Sequence, residues 1–120
     1  MLNFLIVGAG GFVGAAARYG ISLLPLNERG VFPVNTLIIN VVGAFAIGLI
    51  SAAAAKHTGL DGCTVLFLKT GICGGFTTFS TFALETVTLF EQQHTAAALA
   101  YIVLSVALSA AAVYLAQAAV

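Results

Sequence analysis

Four long apolar stretches govern what this chain can fold into. They lie at about residues 2–24, 33–55, 64–90 and 95–119, with only short polar connections between them. Roughly 20 mostly apolar residues suffice to cross the hydrocarbon layer of a bilayer as a helix. Hydrophobic residues make up 61% of the chain and charged residues 7%, against about a quarter charged in a soluble domain. A chain of 120 residues cannot hide so much apolar surface inside one water-facing fold. The expected fold is an all-α membrane protein, a single domain over residues 1–120 with four transmembrane helices.

The opening MLNFLIVGAGGFVG resembles a secretory leader. It has no positive segment before the apolar run, and Arg18 follows that run, so it reads as a retained span. Pro33 suits the first turn of the second helix. The connections are 26–30, 56–62 and 91–94. An enzyme would have to act inside the membrane, and no nucleophile–base pair or metal-ligand set is present for it. Formal net charge is zero, with four basic and four acidic residues, which excludes the basic patch that a nucleic-acid backbone requires. Cys63 and Cys73 lack the spacing of a zinc site and read as small apolar residues near helix starts.

Lysine and arginine in short loops set orientation. With four spans, the N-terminus, the Lys56 loop and the C-terminus share one side. Arg29 lies on the other, with Arg18 near it, and Lys69 is close to the start of the third span. About two positive charges fall on each side. So little bias permits insertion either way up. Four thin helices also give their polar residues little interior. An oligomer is expected, and opposed insertion makes it an antiparallel homodimer.

Polar groups inside a span are costly and by default mark an ion or substrate path. Gly8 to Gly14 is not a nucleotide loop, because the G-x-G-x-x-G spacing and a βαβ setting are missing. Gly10-x-x-x-Gly14 instead permits close helix contact. Arg18 falls one turn below Gly14, as a partner for a carboxylate, a source of positive potential at an anion vestibule, or a snorkelling interfacial residue. Thr36, Asn40 and Gly43 share one helix face. The Asn40 amide can donate to an anion or to a neighbouring helix; both readings stand.

The segment GICGGFTTFSTF, from Gly71 to Phe82, is a poor continuous helix. Each glycine costs a helix about 1 kcal/mol relative to alanine, and hydroxyls can satisfy the backbone groups that a break frees. A break is expected between Gly74 and Thr78. Its freed carbonyls could coordinate a cation, as in discontinuous transporter helices. Phe76, Phe79 and Phe82 recur every three residues. Ring edges are electropositive, so rings edging a narrow path attract an anion without a fixed charge; simple packing is the alternative. Ser80 and Thr81 sit between the rings, and Glu85 follows one turn later. In the last span Tyr101, Ser105 and Ser109 form a hydroxyl stripe, either anion donors or helix–helix contacts.

Together these blocks resemble the CrcB/Fluc family of fluoride channels. The resemblance covers the whole chain. It is carried by Gly10-Gly11-x-x-Gly14-Ala15-x-x-Arg18-Tyr19, by Asn35-Thr36-Leu37-x-x-Asn40-x-x-Gly43, and above all by Gly71-x-Cys73-Gly74-Gly75-Phe76-Thr77-Thr78-Phe79-Ser80-Thr81-Phe82. It implies a dual-topology, antiparallel homodimer with two fluoride pores in the cell inner membrane, and a sodium ion at the dimer interface. Gly74 and Thr77 would offer carbonyls to that sodium. Phe79 and Phe82 would be the pore phenylalanines, and Asn40 a donor. Ser80, Thr81, Tyr101, Ser105 and Ser109 would belong to a polar track. Glu85 would lie near a pore end and Arg18 near a vestibule. The alternative is a proton-coupled cation or drug exporter of the small multidrug-resistance type. That chemistry needs a carboxylate in the first span, and none is there.

Overall fold

The computed structural model describes residues 1–27, 30–56 and 59–120. Arg29, one of the charges counted for orientation, lies outside the described residues. Everything regular among the described residues is helical. Helix α1 is Leu2–Ser22, α2 is Val34–Lys56 and α6 is Thr95–Ala119. These three are long and apolar enough to cross a membrane. Between α2 and α6 the chain is helical in pieces: α3 (Gly62–Val65), a π-helical stretch (Leu66–Cys73), α4 (Gly74–Phe76) and α5 (Phe79–Glu91).

The exterior carries large apolar side chains, among them Phe4, Phe12, Leu84, Val103 and Leu115, all well exposed. The buried positions are mostly small or polar: Ala52, Ala98, Ala112 and Ala116, with Asn35, Thr36, Thr86 and Ser105. That is the composition of helices associating in lipid, where close backbone approach and interhelical hydrogen bonds replace hydrophobic collapse. The chain is an all-α membrane protein.

Small residues decide which helices meet. Helix α1 lies against the π-helical stretch and α4 through glycines on both sides. A Cβ on Gly10 would stand 2.5 Å from the Phe67 carbonyl oxygen, and one on Gly75 would stand 2.6 Å from that of Gly11. Helices α2 and α6 meet along a seam where a Cβ on Gly48 would stand 2.9 Å from that of Ala116. The leading half of the split helix thus belongs to α1, while α5 packs on α6.

Asparagine fastens the turn between α1 and α2. Asn35 Nδ2 donates to the carbonyls of Ser22 (3.2 Å) and Leu24 (3.0 Å), which have no helical donor beyond the α1 end. Its backbone N–H donates to Asn27 Oδ1 at 3.2 Å. At the start of α3, Asp61 accepts from the Thr64 N–H. Those bonds to Thr64 lower its pKa. With the folded pKa below the unfolded one, the cap is fully present above about pH 4 and is lost as pH falls through the depressed value. Amide exchange at Thr64 should show this: protection at neutral pH, loss in acid, and no acid transition in Asp61→Asn.

Candidate functional site

The helix breaks at Thr77 and Thr78, which are extended at φ −81°, ψ 158° and φ −149°, ψ 118°. Asn40 holds the break open from α2. Its Oδ1 accepts the Thr78 N–H at 2.9 Å, and its Nδ2 donates to the Thr78 carbonyl at 3.0 Å. Thr78 Oγ1 then accepts the Thr81 N–H at 3.2 Å and caps α5, as threonine commonly does at a helix start. On the α4 side, Thr77 Oγ1 donates to the Cys73 carbonyl at 2.9 Å.

These bonds redirect the backbone. In an unbroken helix the N–H of Thr78 would reach the Gly74 carbonyl, and that of Thr81 the Thr77 carbonyl. Both donors now go elsewhere, leaving the carbonyls of Gly74 and Thr77 without their helical partners. Arg18 Nε donates to the Gly75 carbonyl at 3.2 Å. Arg18 therefore meets a backbone oxygen of the break, and no ion pair to a carboxylate is formed among the described residues. Its charge sits at the carbonyl end of α4, where a helix favours a cation. No three His, Cys, Asp or Glu side chains converge among the described residues. Hard oxygen atoms of the backbone are the donors on offer for a cation here.

Beside the break lies a cavity of about 380 Å³. Asn40 and Gly43 line it from α2, Cys73, Gly74, Thr77 and Thr78 from the break, Phe79 and Phe82 from α5, and Ser105 and Ser109 from α6. Asn40 thus serves the break and faces the cavity, with one amide hydrogen committed to Thr78. Ser105 is 8% exposed, and its Oγ has no partner among the described residues. A buried hydroxyl left unpaired costs about 1–3 kcal/mol, so a ligand that accepts a hydrogen bond is favoured beside it.

Four aromatic rings run from this cavity to one end of the bundle. Successive centroids are 5.7 Å apart from Phe79 to Phe82, 5.1 Å from Phe82 to Tyr101, and 5.5 Å from Tyr101 to Phe32. Tyr101 is fully buried and donates its hydroxyl to Glu85 Oε1 at 3.1 Å. Glu85 in turn lines a second cavity of about 260 Å³ with Asn27, Phe32, Thr88 and Gln92.

Residues 5–117 match the family model described as "CrcB-like protein, Camphor Resistance (CrcB)". This chain belongs to the CrcB-like family. Among curated relatives, the "Fluoride-specific ion channel FluC" of Ruminiclostridium cellulolyticum is 52% identical over 109 residues, 89% of this chain and 83% of the relative. The protein of the same name from Paracoccus denitrificans is 48% identical over 111 residues, 92% and 88% of the two chains. That of Granulibacter bethesdensis is 44% identical over 117 residues, 97% and 92%.

In this CrcB-like chain the candidate residues divide. Asn40, Gly74, Thr77, Phe79, Phe82, Ser105 and Ser109 share the central cavity. Tyr101 and Glu85 join one another further along. Ser80 and Thr81 do not line either cavity: helical rotation turns them away from the face that Phe79 and Phe82 present. Ser80 is exposed. Sequence reasoning placed Thr78 at the limit of the break without making it a cap, read Cys73 as a small apolar residue and gave Phe32 no role. The first had a legible signal, a threonine three residues before Thr81 at a helix start. Phe32 had none, being a single aromatic in a connection.

Proposed function

We propose that this protein is a fluoride-selective channel that lets fluoride leave the cell passively. The cavity beside the split helix carries the reading. Its donors are uncharged, the amide of Asn40 and the hydroxyls of Ser105 and Ser109, and its aromatic wall is Phe79 and Phe82. A strongly hydrated anion needs many donors to offset dehydration, and passage needs binding weak enough for exit. Neutral donors and ring edges meet both conditions where a lysine in the path would bind too tightly. Relatives named as fluoride-specific ion channels, about half identical over most of their length, support the same reading. They name a channel, not an enzyme, and nothing favours the cation exporter, whose carboxylate α1 lacks. Outward flow follows from membrane voltage and from acid outside, which converts fluoride to hydrogen fluoride.

The assembly belongs to the same proposal. The split helix counts as the third of four spans, in the cell inner membrane. Two copies inserted in opposite senses form an antiparallel dual-topology homodimer with two pores. Phe79 is 79% exposed in the single chain, and a second copy would cover such rings and complete the pore wall. The carbonyls of Gly74 and Thr77, deprived of helical donors, would bind a structural sodium ion at the interface together with those of the partner copy. When bound, that ion supplies positive charge that holds the two breaks together.

Purified protein in liposomes should release fluoride to a fluoride electrode, and release no faster than from empty vesicles ends the proposal. Phe82→Ile keeps bulk but removes the ring. It should slow efflux about tenfold, a barrier rise of about 1.4 kcal/mol, while the dimer still assembles.

A further inference from the structure

Beyond the Tyr101–Glu85 pair, which the resemblance already places on the pore, we propose that Phe32 and Asn27 form the mouth of the ion path at the second cavity. The inference rests on the fluoride-channel reading and adds two residues to it. The two cavities share no lining residue. Between them stand Phe82 and Tyr101, and the ring series does not stop there: Phe32 meets Tyr101 at 5.5 Å with the rings 80° apart, an edge-to-face contact. Phe32 is at once a neighbour of Tyr101 and a wall of the second cavity. It is the one aromatic ring that lines that cavity among the described residues.

The chemistry of the mouth explains why neutral groups matter there. Glu85 lines it and repels anions. The Tyr101 hydroxyl is already committed to Glu85, and the Thr88 hydroxyl to the Leu84 carbonyl at 2.9 Å. Among the described residues lining it, the groups able to offset the repulsion are therefore the Phe32 ring and the side-chain amides of Asn27 and Gln92. Asn27 is held in place, since its Oδ1 accepts the Asn35 N–H, and its amide hydrogens have no partner among the described residues. The ligand is a small hydrated anion regaining water on its way out.

Two variants test this on the full-length protein in liposomes. Phe32→Leu keeps an apolar side chain and removes the quadrupole. Losing one such ring contact corresponds to about a two- to tenfold change in rate, so fluoride efflux should fall by that factor while Phe32→Tyr stays near wild type. Asn27→Asp keeps the acceptor for Asn35 and puts a second carboxylate beside Glu85. Its efflux should fall severalfold at low ionic strength and recover with salt, as screened charge repulsion does. A merely structural role would not give that salt dependence. Wild-type efflux from either assembled variant overturns the inference, and if Phe32→Leu fails to assemble, Asn27→Asp alone decides. Parallel vesicles with unaltered protein separate this result from the wider proposal, which fails only if they too release no fluoride.

Discussion

Replacing Asn40 with alanine should abolish fluoride efflux and loosen the split helix together. Two hydrogen bonds disappear, both to the backbone of Thr78. Each unpaired N–H or carbonyl costs about 1–3 kcal/mol. Both residues are only partly buried, and the Thr78 N–H can find a new acceptor, so the net cost is that of the carbonyl, about 1–2 kcal/mol at the low end of that range. The Thr78 N–H would be free to return to the Gly74 carbonyl, closing the break towards continuous helix. One substitution then removes a donor of the cavity, takes away an uncommitted carbonyl and shifts Phe79. Asn40→Asp separates these effects. It keeps the acceptor for the Thr78 N–H and sets a negative charge in the anion cavity, so efflux should vanish while much of the thermal stability remains. Efflux by electrode and unfolding temperature in detergent check both. Wild-type efflux from Asn40→Ala would show that the amide serves only the helix.

Much of this arrangement was legible because a bilayer simplifies the code. Apolar runs bounded by short polar connections placed α1, α2 and α6 within two residues of their ends. The crowd of glycines and hydroxyls marked where the remaining helix departs from regularity. Within that window the departure falls at Thr77 and Thr78, not at the glycines. Gly71 and Gly75 stay helical because their bare backbones are pressed on Gly10 and Gly11. Glycine's weak helix propensity is outweighed by contact. Asn40 fixes the break from another helix, a pairing across 38 positions that no local pattern announces. The π-helical widening at Leu66–Cys73 has no compositional signal either. Nor does the Tyr101–Glu85 bond, although both residues were singled out separately: a stripe of hydroxyls says which face they share, not what meets it.

Gly14 to valine should be the most damaging small change in α1. An added Cβ would run into the Ile72 carbonyl oxygen and stand 2.8 Å from the Phe76 nitrogen. Both neighbours are backbone, with no flexible end to swing aside. Helix α1 must therefore move off the π-helical stretch and α4, and overpacking of this kind costs about 1–3 kcal/mol. Valine exceeds alanine because its two γ-methyl groups meet the same wall. The displacement also draws Arg18 from the Gly75 carbonyl, since four residues separate it from Gly14 on one helical face. Assembly and efflux should fall together in Gly14→Val, and less in Gly14→Ala. Gly20→Ala is the control: a Cβ there meets nothing within 4 Å, and alanine favours the helix by up to about 1 kcal/mol. Thermal unfolding in detergent should rank Gly20→Ala at or above the unaltered protein, then Gly14→Ala, then Gly14→Val. If Gly14→Val retained full stability, the close approach of α1 to the split helix would not be what positions the break.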